Sequence, residues 1–102
     1  MLSARWEAPC RLRIQGHAGY AESGKDIVCA AVSALWGTLN MELDRREKTG
    51  QGVHEVADGT VLFRPADNKD EAEIRDIFGM IWGGILLLST QYGGWIDAKR
   101  EW

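Results

Sequence analysis

Residues 53–64 read V-H-E-V-A-D-G-T-V-L-F-R. Two runs rich in β-branched and aromatic residues, 53–57 and 60–64, flank Asp58-Gly59, a pair that tolerates the positive φ angles of a two-residue hairpin turn. The spacing predicts an antiparallel hairpin, and so a sheet around which the other elements must fit. Before it, Val28, Val32, Leu35, Leu39 and Leu43 recur at helical intervals, the stripe of a helix with one buried face. Asp26 stands where its carboxylate can accept first-turn N–H groups, and Gly50 with Gly52 stops the helix after the charged run 44–48. Further back, Arg11-Leu12-Arg13-Ile14-Gln15 alternates with the period of a half-buried strand, and residues 2–6 supply a neighbour across a turn at 7–10. After the hairpin and its terminator at 65–68, Ile74, Ile77, Phe78, Ile81, Ile85, Leu88 and Tyr92 mark one face of a second helix. That helix breaks at Gly93-Gly94, and 95–99 closes as a strand. The order strand, strand, helix, strand, strand, helix, strand predicts an α+β fold, a small mixed or antiparallel sheet with two helices packed on one face.

The chain has 102 residues, the length of a single domain spanning 1–102. Hydrophobic residues make up 45% and charged residues 26%, a balance that supports a folded core and argues against disorder. A formal net charge of -3 lacks the broad basic surface that phosphate backbones require, so direct nucleic-acid binding is not expected. The uncharged stretch 77–96 is as long as a membrane span, yet Gly79, Gly83, Gly84, Gly93 and Gly94 with Ser89, Thr90 and Gln91 suit a buried soluble helix better. Arg5 and Glu7 interrupt the first residues, leaving no signal-peptide core, so the expected location is cytoplasmic with no membrane partner. Within the second helix each glycine costs about 1 kcal/mol against alanine, which predicts close approach by the first helix or by a second copy of the chain.

Chemistry concentrates in residues 16–33, G-H-A-G-Y-A-E-S-G-K-D-I-V-C-A-A-V-S. With Asp26 as the cap, Cys29 falls in the first helical turn, where the positive end of the helix dipole favours a thiolate. His17 follows a strand, and a loop that folds back would let its imidazole serve Cys29 as general base and then protonate a leaving amine. The N–H groups of the same helical turn are expected to be free for the oxyanion of a tetrahedral intermediate. Gly16, Gly19 and Gly24 make residues 18–25 easy to bend, a candidate lid over a bound peptide, and Ser33 sits one turn after Cys29 on the same face. Each reading has a bland counterpart: Cys29 before Ala30-Ala31 as a small buried hydrophobe, Asp26 as a cap and not an orienter, Ser33 returning its hydroxyl to the helix backbone.

Two further readings compete. Residues 19–25 fit the phosphate-cradling pattern G-x-x-x-x-G-K, but Asp26 replaces the Ser or Thr that would hold a metal beside the phosphates and sets a carboxylate against their charge. A non-catalytic dimeric module that binds a peptide, or assists assembly, would keep the same loop and helix. No metal is expected, because Cys10 and Cys29 lack C-x-x-C spacing and His54 reads as a surface histidine.

From Gly16 to Leu35 the chain resembles the ribosomal-processing cysteine protease family, Prp. The resemblance puts the family's catalytic His on His17 and its catalytic Cys on Cys29, twelve positions apart, with the Asp of the D-I-V-C run on Asp26. It implies a bacterial, cytoplasmic, homodimeric cysteine endopeptidase that needs no cofactor. The expected reaction is removal of an N-terminal extension, after an aromatic residue, from a large-subunit ribosomal protein precursor. Related prophage sequences imply a virion protein as the other candidate substrate.

Overall fold

Alternation along the strands and apolar stripes along the helices produce the expected element order in a computed structural model, which describes residues 1–22 and 26–102. Gly24 therefore lies outside the described residues. The elements are β1 (Leu2–Ala8), β2 (Arg11–Gln15), α1 (Ile27–Lys48), β3 (Gly52–Ala57), β4 (Thr60–Pro65), α2 (Asn68–Gln91) and β5 (Ile96–Arg100). The strands form one five-stranded sheet in the order β3-β4-β2-β1-β5. Neighbours are antiparallel except β1 and β5, which run parallel, so the sheet is mixed and the fold α+β.

One face of the sheet carries the core. Leu2, Ala4, Trp6, Leu12, Val61, Phe63 and Ile96 are buried there, alternating with Arg5, Arg13 and Asp97, which take part in ion pairs. The covering layer is the two helices: α1 buries Val28, Val32, Leu39 and Leu43, and α2 buries Ile74, Phe78, Ile81, Trp82 and Ile85. Close approach of the helices is visible at Gly84, where a Cβ would stand 2.9 Å from Leu35 Cδ2, while one on Gly83 would meet nothing within 4 Å. The first helix is thus the neighbour anticipated at Gly84, and Gly79 similarly lies under the Trp6 ring, 3.6 Å from the site of its missing Cβ. Among the described residues no helix is long and apolar enough to cross a membrane. The uncharged stretch 77–96 divides between α2, which buries only one face, and the turn into β5, with Met80 and Leu87 left exposed.

Element boundaries differ from expectation where backbone bonding intervenes. A bulge between Trp6 and Ala8 lets β1 run on to Ala8, which narrows the turn to Pro9 and Cys10. The Trp95 N–H is taken by Tyr92 O in the turn, so β5 starts one residue later than the sequence pattern suggests. At the other sheet edge Gly52 has φ +154, and a Cβ there would collide with the Arg64 carbonyl and the Phe63 ring. Gly52→Ala is therefore expected to cost about 2 kcal/mol and to lower the melting temperature by roughly 10 °C. Thermal denaturation checks this, and an unchanged melting temperature would show that the β3–β4 edge relaxes freely.

Candidate active site

The start of α1 is organised by one carboxylate. Asp26 has extended backbone angles, φ -80 and ψ 96, and its Oδ1 accepts the Cys29 N–H at 3.0 Å. Its Oδ2 accepts the Tyr20 N–H at 3.2 Å, so the same group ties the loop before the helix to the helix itself. The hydrogen bond from the Cys29 amide, with the others the carboxylate accepts, holds Asp26 below its ordinary pKa despite opposing desolvation. The cap fixes Cys29 in the first turn, half-buried between core and solvent, with Ser33 one turn further along and exposed.

The expectation that the first-turn amides stand free for an oxyanion is not met at Cys29, whose N–H the Asp26 carboxylate already occupies. The N–H aimed at the sulfur comes instead from the loop: Ala18 donates to Cys29 Sγ at 3.3 Å from a buried position. The occupied cap also weakens the phosphate-loop reading, because a phosphate would compete with Asp26 for the same donor. Gly16 makes the reversal after β2 with φ +82, in a space where a Cβ would lie 2.8 Å from the Met1 carbonyl oxygen. Gly19 follows with φ +73, and Tyr20 then packs edge-on against Tyr92 and Trp95, each at 5.5 Å. The described part of the candidate lid is thus anchored to both α1 and the α2–β5 turn.

His17, exposed after this reversal, meets Cys29 and Ser33 at the edges of two depressions. One, of ≈ 580 Å³, is completed by Gly19, Ala21, Asp26 and Ala30. The other, of ≈ 400 Å³, is completed by Leu2, Ile14, Gly16, Val32, Trp36, Val56 and Gly59. No hydrogen bond joins His17 directly to Cys29 or to Asp26 among the described residues; Asp26 is engaged in capping. Sequence reasoning passed over Trp36, Val56 and the Ala18 amide. Trp36 alone carried a signal, since Cys29, Ser33 and Trp36 share one helical face at i, i+4 and i+7; Val56 and Ala18 arrive from other segments.

The other thiol sits in a different environment. Cys10 is buried in the core, and burial pushes its pKa up to about 11, with Glu71 adding to the effect and Arg75 opposing it. His54 is half-buried, a correction to its reading as a surface residue: it pairs with Phe63 across the hairpin, faces α1 and has Nε2 2.8 Å from Asn40 Oδ1. Ligand atoms of His54, Asp44 and Glu47 lie within 4.8 Å of one another, the one described cluster that could hold a metal. Asp44 is already paired with Lys48 at 2.9 Å, and the group lies roughly 20 Å along α1 from Cys29.

A thiol in the first turn of a helix, an imidazole sharing its cleft and a buried amide aimed at the sulfur make the layout of a thiol-dependent hydrolase. The comparisons agree. The family model described as Cysteine protease Prp matches residues 4–97, and the chain belongs to that cysteine protease family. No curated protein matches the chain. Among solved structures, the chain is similar to the essential ribosomal processing protease Prp from S. aureus with a covalently linked product peptide, at 21% identity and TM-score 0.74, over 98% of this chain and 99% of that one. The same S. aureus protease with a substrate peptide aligns at 16% identity and TM-score 0.65, over 97% of this chain and 96% of that one. SMU.848 from Streptococcus mutans aligns at 25% identity and TM-score 0.67, over 97% and 90%. The fold is shared along nearly the whole chain.

Two measurements check this geometry. Iodoacetamide on the native protein near pH 8 is expected to add one carbamidomethyl group, on Cys29, with Cys10 modified only after unfolding; two native adducts would refute the burial of Cys10. The Asp26 carboxylate has a lowered folded-state pKa, so its contribution is present above the unfolded value, about 3.9, and lost as pH falls through the lower folded one. The stability advantage of wild type over Asp26→Asn is therefore expected to shrink between pH 5 and pH 2, since asparagine does not titrate there. Parallel melting curves for both proteins would contradict the cap's charge.

Proposed function

We propose that Cys29 and His17 are the catalytic pair of this cysteine endopeptidase. In the reaction, Cys29 Sγ forms a bond to the scissile carbonyl carbon while His17 takes the thiol proton. The carbonyl oxygen becomes an oxyanion, and His17 delivers the proton to the departing amine as the C–N bond breaks. Water then attacks the thioester, loses its proton to His17 and releases the new carboxyl terminus, and the proton returns to sulfur. The observation that carries this reading is the Ala18 N–H directed at Cys29 Sγ at 3.3 Å: a donor beside the nucleophile is positioned to serve the oxyanion that forms there. Asp26 acts through the cap, holding Cys29 and the Tyr20 segment in register.

The substrate is a protein with an N-terminal extension. The S. aureus neighbours are a ribosomal processing protease with substrate and product peptides, which favours a ribosomal protein precursor over a prophage virion protein. The enzyme works in the cytoplasm, where Cys10 and Cys29 stay free thiols, needs no cofactor, and pairs as a homodimer through exposed apolar helix residues such as Met41 and Met80. Residues 18–22 belong to a loop that closes over the bound peptide, with Gly16 and Gly19 as its hinges and Ser33 on the substrate side of α1.

Cys29→Ala is expected to abolish cleavage without changing fold, and Cys29→Ser or His17→Ala to slow it by about 1,000-fold or more. Cys10→Ser should cut like wild type. Incubation with extended precursor proteins followed by intact-mass analysis reads each case. Cleavage by Cys29→Ala at the wild-type rate would remove the mechanism, and a dead Cys10→Ser beside an active Cys29→Ser would reverse the choice of thiol.

A further inference from the structure

We infer that Tyr92 and Trp95, in the turn between α2 and β5, are positioning residues for the reaction: through the Tyr20 ring they hold the Ala18 N–H at the Cys29 sulfur. This rests on Cys29 being the nucleophile.

The loop after β2 has little means of fixing itself. Gly16 and Gly19 both take positive φ, and glycine is equally free to leave those angles, so backbone preference leaves the segment between them loose. Ala18 lies in that segment, buried, with its N–H 3.3 Å from Cys29 Sγ. Sulfur is a weak acceptor, so this contact shows where the amide has been placed but does not hold it there. The holding falls to Tyr20, two residues on. Its N–H reaches Asp26 Oδ2 at 3.2 Å, and its ring stands edge-on to Tyr92 and to Trp95, 5.5 Å from each, at interplanar angles of 86° and 80°. That is the arrangement aromatic quadrupoles favour, and two such contacts locate one ring more closely than either could.

The base of this clamp is tied down at both ends. Tyr92 closes α2, its N–H donating to Leu88 O at 2.8 Å, and the Trp95 N–H donates to Tyr92 O at 2.9 Å. Trp95 O in turn accepts the N–H of buried Leu2 at 3.0 Å, which fastens the turn to β1. Among the described residues that line the two depressions at Cys29, neither Tyr92 nor Trp95 is present, so both act through Tyr20 and not on the peptide. An oxyanion donor works only where the charge develops, and a misplacement of about 1 Å can cost about 100-fold. The ground-state carbonyl lacks that charge, so the loss falls on kcat more than on KM.

The test measures cleavage of an extended ribosomal protein precursor by wild type, Tyr20→Leu, Tyr92→Leu, Trp95→Leu, Tyr92→Phe and the Tyr20→Leu/Tyr92→Leu double variant. Each single leucine variant is expected to lower kcat by about 10- to 100-fold, with KM within about threefold of wild type. Tyr92→Phe keeps the ring and should cut like wild type. The double variant should lose no more than Tyr20→Leu alone, because both changes act through one ring. An unchanged kcat in Tyr20→Leu, a loss confined to KM, or losses that multiply in the double variant overturns the assignment. Circular dichroism confirms each fold; should the turn variants fail to fold, Tyr20→Leu decides alone, since its ring is 41% exposed and outside the core. Cleavage surviving Cys29→Ala would instead strike the catalytic reading, so the two failures are separable.

Discussion

The hydrogen bonds from the Cys29 and Tyr20 amides to the two oxygens of the Asp26 carboxylate are the constraint on which the site depends. A helix start leaves amides without partners, and this one is closed by a side chain that also reaches back across the glycine loop. The thiol is thereby fixed at the helix N-terminus, and the segment carrying His17 and Ala18 is drawn against it. Tyr20, wedged edge-on between Tyr92 and Trp95, anchors that segment to the turn after α2. The loop after β2 and the first turn of α1 thus meet at one sulfur atom.

The scaffold behind the site explains why it holds its shape. Strand β1 is bonded on one side to the central strand β2 and on the other, in parallel, to the edge strand β5. Its first core residue, Leu2, and Ile14 of β2 contribute to the apolar depression, so the floor of the cleft belongs to the middle of the sheet. At the opposite end of β1, Trp6 packs at 5.9 Å from Trp82 and at 4.9 Å, edge-on, from Trp102, with the Arg100 guanidinium 3.9 Å from the Trp102 ring centre. This aromatic cluster clamps β1, α2 and the chain end together.

The two cysteines show how position decides chemistry for one residue type. Cys10, in the β1–β2 turn, is closed into the core under α2, and desolvation keeps its proton in place. Cys29 is half-buried, at a helix start, beside an imidazole and under an amide donor. Nothing about the letters C-R-L or C-A-A separates them. The separation comes from where each sulfur lies, one closed into the core at the β1–β2 turn and the other in the first turn of α1 at the edge of the cleft.

Much was legible in the residues themselves, because strand alternation, helical spacing, the Asp58-Gly59 turn and the Asp26 cap are local patterns set by backbone geometry. They determined the order of seven elements, the α+β class and the face of α1 that bears Cys29, Ser33 and Trp36. Tertiary structure alone decided that β1 and β5 run parallel, that the Cys29 amide is already taken, and that the Ala18 amide points at the sulfur. It likewise brought Leu2, Ile14 and Val56 around Trp36 and turned His54 inward to Asn40. The physical reason is one of range: a periodic pattern states which side of an element is buried, but not which distant residue faces it. That pairing is settled by sheet order, by helix packing and by a loop whose glycines permit the reversal without prescribing where it ends.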